Sequence, residues 1–71
     1  MDAEIVMQFI NETPKKFLRY VPGGKKVIIE GVEYRITRNN IRGGLEVFSN
    51  GSVFHFDWDK KTETWFLNPS R

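Results

Sequence analysis

The apolar positions change period once along the chain, from a helical spacing to strict alternation. Ile5, Val6, Phe9 and Ile10 recur at the spacing of one helical face, and Asp2 stands where a carboxylate caps the free amides of a first turn. The pattern predicts a short amphipathic helix. Thr13-Pro14 ends it, because the residue before a proline is driven out of the α region. With Thr13 as a cap and Pro14 at the first position, a second short helix would follow and carry Phe17, Leu18 and Val21 inward. The rival reading makes 17–21 a strand; the helical or irregular form is preferred.

Pro22-Gly23-Gly24 breaks this segment, and the period then becomes two. Residues 26–29 and 32–38 are rich in β-branched side chains and meet at Glu30-Gly31, which reads as a tight hairpin. Val32, Tyr34 and Ile36 share one face; Glu33, Arg35 and Thr37 share the other. Residues 39–44, rich in Asn and Gly, form an adaptable loop. Asn50-Gly51 is the preferred pair for a type I′ turn, whose twist matches that of the flanking strands. It predicts the pairs Ser49 with Ser52, Phe48 with Val53, Val47 with Phe54, Glu46 with His55, and Leu45 with Phe56. Leu45, Val47, Phe54, Phe56 and Trp58 then line one face. A loop at 59–62 would next set Phe56 against Trp65 and add Trp65 and Leu67 to that face. The predicted fold is α+β. An N-terminal amphipathic helix, with or without the second short helix, packs on one face of an antiparallel β-meander of four to five strands.

The chain of 71 residues is expected to form one domain, 1–71, near the size at which a single core supplies only about 3–5 kcal/mol. Cysteine is absent, which removes disulfides and thiolate metal sites as staples and is compatible with a reducing compartment. The aromatic fraction of 14% is the compensating source of buried area. No run reaches the length of a membrane span, and the first residues are acidic where a secretory signal would be basic. A cytoplasmic protein without membrane, metal or cofactor partners is expected.

Charge is distributed unevenly. Lys15, Lys16, Arg19, Lys25, Lys26, Arg35, Arg38 and Arg42 stand against Glu30 and Glu33, a net of +6 over 15–43, whereas residues 1–14 carry Asp2, Glu4 and Glu12 and no base. Such a block points to an anionic partner. The expected function is a small non-enzymatic binding module that engages nucleic acid through Lys25, Lys26, Arg35, Arg38 and Arg42. The alternative is a protein-interaction module or small inhibitor that uses an outer sheet face or an edge strand, with Phe48, Val53, His55 and Phe66 as contacts.

Chemistry is sparsely represented. His55 is the single histidine, without a Gly-x-Ser-x-Gly elbow, and its predicted cross-strand neighbour Glu46 makes it a surface ion pair that forms when the imidazole is protonated. Asp57, Asp59 and Glu63 lack the spacing and glycine of a calcium loop, and Gly23-Gly24-Lys25 lacks that of a phosphate-binding loop.

The run from Gly44 through Asn50-Gly51 and Phe54 to Trp65 and Pro69 loosely resembles the three-stranded sheet of a WW domain. That resemblance implies that Phe54 and Trp65 grip proline. The sequence departs from the pattern at Leu45, which replaces the first signature tryptophan, at Trp58, which replaces a histidine, and in a shorter first loop.

Overall fold

The computed structural model describes residues 3–19, 21–39 and 43–69. Its elements are α1 (Ala3–Glu12), a single 3₁₀ turn (Lys15–Leu18), and the strands β1 (Lys25–Ile29), β2 (Val32–Arg38), β3 (Leu45–Ser49), β4 (Ser52–Asp59) and β5 (Thr64–Leu67). The strands form one antiparallel sheet in sequence order, β1-β2-β3-β4-β5. This is the α+β meander that the alternation predicts. The capping role assigned to Asp2 lies outside the described residues.

Two hairpins follow from turn chemistry. Glu30 and Gly31 have φ of 49° and 80°, and Asn50 and Gly51 have 47° and 82°, so both turns hold the paired positive φ of type I′. The second turn sets the β3–β4 register from Ser49↔Ser52 to Leu45↔Phe56, as its Asn-Gly pair predicts. The last hairpin differs from expectation by two residues. Trp58, not Phe56, faces Trp65, and Phe56 faces Leu67. The cause is Asp59, whose carboxylate accepts the Lys61 amide at 2.8 Å and so begins the turn one residue later than expected. Glu63 then closes the turn at φ 56°, donating its amide to Asp59 O at 2.8 Å. Because the shift is even, every side chain keeps its face. Trp58 and Trp65 meet edge to face, with centroids 5.2 Å apart.

The core lies between α1 and one face of the sheet. Val6 and Ile10 from α1, Leu18, and Ile29, Tyr34, Ile36, Leu45, Val47, Phe56 and Trp65 from the strands are buried. Ser49 is buried among them and donates its hydroxyl to Glu33 O at 3.2 Å. The 3₁₀ turn departs from the expected second helix in two respects. The Thr13 hydroxyl donates to Phe9 O at 2.7 Å and so finishes α1, while Pro14 takes the position before the 3₁₀ turn without a side-chain cap. One turn of three residues per revolution also cannot bury adjacent residues together, so Leu18 goes inside and Phe17 remains half exposed.

Helix α1 packs against β5 and, less extensively, β1, the two edge strands. Across five flat strands those edges would stand about 19 Å apart, so one helix touches both only because the twisted sheet curls around it. Asn11 supplies the hydrogen bonds of the contact with β5. Its side-chain oxygen accepts the Trp65 amide at 2.6 Å, and its side-chain nitrogen donates to Trp65 O at 3.1 Å. The Asn68 amide donates to His55 O, which makes 55/68 a hydrogen-bonded pair and by alternation points the Trp65 main chain away from β4. Asn11 thus completes the open edge of β5 as another strand would.

Two outcomes follow from this geometry. Asn11→Ala leaves two main-chain groups of Trp65 without partners and should lower unfolding free energy by about 1–3 kcal/mol in urea denaturation. Glu30→Asn relieves a left-handed glutamate in a turn that favours asparagine and should raise it by about 1 kcal/mol.

Candidate anion-binding cleft

The cations predicted from the sequence divide between the two faces of the sheet. Alternation sends Lys25 and Arg38 to the helix-covered face and Lys26 and Arg35 to the outer one. Arg42 lies outside the described residues. Three of the four described cations are tied to main-chain carbonyls of the segment before β1. Lys25 Nζ donates to Phe17 O at 3.0 Å, a guanidinium nitrogen of Arg38 donates to Leu18 O at 3.3 Å, and one of Arg35 donates to Gly23 O at 3.0 Å. These side chains strap the 3₁₀ segment to the sheet. Gly24 permits the close approach: a Cβ there would stand 2.9 Å from Ile36 O and 2.6 Å from Thr37 Cγ2.

On the helix side the strapping leaves a cleft of about 250 Å³ lined by Phe9, Thr13, Phe17, Leu18, Val27 and Ile36, with Arg19, Lys25 and Arg38 at its rim. No acidic side chain is among its described lining residues. Its walls are apolar because Val27 and Ile36 belong to the inward row of β1 and β2, while Lys25 and Arg38 stand on the same row and reach the Phe17 and Leu18 carbonyls with their charged ends. Lys16 Nζ and Lys25 Nζ lie 5.4 and 5.5 Å from the centre of the Phe17 ring. Lys15 Nζ stands 3.6 Å over the Trp58 ring, and the Arg38 guanidinium lies 5.7 Å from that of Trp65. Five cations are therefore gathered on this side: Lys16 and Lys25 beside the Phe17 ring, which is 50% exposed, Arg19 and Arg38 along the cleft, and Lys15 over Trp58.

Phe17 is the feature that reading by periodicity misplaced, since it was expected inward. The local signal is Lys15-Lys16-Phe17-Leu18-Arg19, an aromatic residue set within a cation run. Lys16 stands beside the Phe17 ring, and Arg19, not among the expected contacts, lines the cleft. Lys26 and Arg35 do not join it: they are cross-strand neighbours on the outer face.

The outer face brings together the other predicted group. Phe48 pairs with Val53, His55 follows two positions along β4, and Phe66 pairs with Asp57 one strand away. Phe48, Val53 and Phe66 are 41%, 43% and 42% exposed. His55 Nδ1 is 3.5 Å from Glu46 Oε2, the cross-strand pair expected from the register. The proline-gripping pair implied by the WW resemblance is not displayed: Trp65 is buried and Phe54 half-buried on the helix-covered face.

The carboxylates near the last turn are occupied locally. Asp59 holds the turn amides, and Asp57 Oδ2 accepts the Asn68 side-chain amide at 2.6 Å. Among the described residues no three His, Cys, Asp or Glu side chains cluster as a metal site, and no described helix is long and apolar enough to cross a membrane.

Arg38→Met keeps most of the buried stem but removes the charged donor to Leu18 O. Urea denaturation should show a loss of about 1.5–3 kcal/mol, the cost of a hydrogen bond from a charged group. Comparison with known proteins returned no matching family model, curated protein or solved structure.

Proposed function

We propose that this chain is a non-enzymatic module that binds single-stranded nucleic acid on the side of the 3₁₀ turn. The observation that carries this reading is the grouping of Lys16, Arg19, Lys25 and Arg38 about the half-exposed Phe17 and its apolar cleft, with Lys15 over Trp58 on the same side. Cations neutralise phosphates without regard to sequence, and an exposed ring stacks on any base. A cleft of about 250 Å³ beside that ring, apolar in its walls and cationic at its rim, suits a planar base joined to an anionic backbone. A duplex offers no unstacked base to such a ring, so the single strand is the form it selects.

A second reading rests on the outer face, where Phe48, Val53 and Phe66 remain substantially exposed on one side of the sheet. Exposed aromatics of this kind serve protein interfaces. The two readings use opposite faces and so separate cleanly.

Fluorescence anisotropy with a short labelled single-stranded oligonucleotide is the test. Binding should weaken as salt rises, with a log–log slope of about −0.7 for each phosphate neutralised. Phe17→Ala should weaken it by about tenfold, within the range for loss of one stacking partner. Lys16→Glu with Arg19→Glu should weaken it further and flatten the salt slope, while Phe48→Ala should leave it unchanged. Absence of binding to both DNA and RNA strands at low salt would overturn the reading. Salt-insensitive capture of a protein partner, lost in Phe48→Ala, would support the second.

A further inference from the structure

The two edges of the sheet are finished differently. Asn11 fills the outward main-chain positions of β5 at Trp65, whereas β1 has no such cover among the described residues. The type I′ turn makes Ile29↔Val32 a hydrogen-bonded pair, so by alternation the N–H and C=O groups of Lys26 and Ile28 point away from β2. No hydrogen bond between these groups and another described backbone segment is found. Ile28, in the middle of this open edge, is 71% exposed, more than any other large apolar residue described. An uncovered edge carrying an exposed β-branched residue is a template for another strand.

We infer that the β1 edge pairs with a second copy of this chain, antiparallel about a two-fold axis through Ile28. The sequence of the edge is self-complementary in that register. Ile28 meets its own copy, Lys26 meets Glu30 of the other chain, and Val27 meets Ile29 on the inward face. Each copy supplies the same patch, as an isologous contact requires. Slipping the register by two places Lys26 opposite Ile28 instead and loses both ion pairs, so charge selects the first arrangement. The result is a continuous ten-stranded sheet, twice the five strands of one chain.

This pairing also bears on the cleft. Lys25 and Val27 line it from β1 itself, so joining two β1 strands about 4.8 Å apart sets both clefts on one face of the extended sheet, one on each side of the axis. A dimer would present two anion-binding clefts to one strand, but the pairing does not depend on what the clefts bind.

Sedimentation velocity of the purified chain over a concentration series, without nucleic acid, tests the inference. A monomer–dimer equilibrium is expected. Lys26→Glu should raise the dissociation constant about tenfold, because both cross-axis ion pairs become repulsive, and Lys26→Glu with Glu30→Lys should restore it. Ile28→Lys should give a monomer whose circular dichroism matches the parent, since the residue is largely outside the core. Hydrogen exchange supplies a readout independent of any variant: the Lys26 and Ile28 amides should gain protection as concentration rises. A chain that stays monomeric at every concentration would overturn the inference. So would a dimer indifferent to Ile28→Lys, or one that the charge swap fails to restore.

Discussion

The side-chain amide of Asn11 governs how this small domain closes. It donates to and accepts from the main chain of Trp65, and so attaches the end of α1 to an edge strand that has no further strand on that side among the described residues. With β5 held there and β1 also against the helix, the sheet must curl, and its concave face encloses Val6, Ile10, Val47 and Phe56 away from solvent. Fully burying a side chain of this kind contributes about 1.5–3 kcal/mol, so a chain without disulfides depends on that enclosure. A flat sheet under the same ten-residue helix would leave part of the face wet.

The curl also decides what the basic segment does. One helix cannot cover the whole concave face, and the described residues of 13–19 and 21–24 lie over part of the remainder beside β1 and β2. Among the described residues of this segment only Leu18 is buried. Lys25, Arg35 and Arg38 therefore hold it by its carbonyls, while Lys15 lies over Trp58. Charges that suggest an anionic partner thus also serve as straps. The two roles are compatible because an ammonium or guanidinium has more donors than one carbonyl uses. The straps fix where the remaining positive charge points, and the cleft beside Phe17 is the consequence.

Most of the fold was legible in local patterns. Asn50-Gly51 determined a full register because a type I′ turn admits few alternatives, and alternation then set Leu45, Val47 and Phe56 on the core face and Phe48 and Val53 on the opposite one. The last hairpin was less legible. A loop of polar residues can begin at several positions, and the choice fell to the Asp59 carboxylate, whose bond to the Lys61 amide carries no periodic signal. The candidate site was legible as composition and not as place. Parity could foretell that Lys25 and Arg38 leave the sheet on the opposite side from Lys26 and Arg35, but it could not say which side keeps an open cleft.

The sequence by itself determined the helix, the strands, two of the turns and the face of nearly every strand residue, because each rests on contacts between near neighbours along the chain or across a tight turn. Only the tertiary structure decided the placement of Phe17, the grouping of Lys15, Lys16 and Arg19 with Lys25 and Arg38, the completion of β5 by Asn11, and the openness of β1. Those features depend on separations of up to 54 residues and on how far a twisted sheet bends around one helix. No local pattern specifies that bend, since it is set by the total packing of both faces at once.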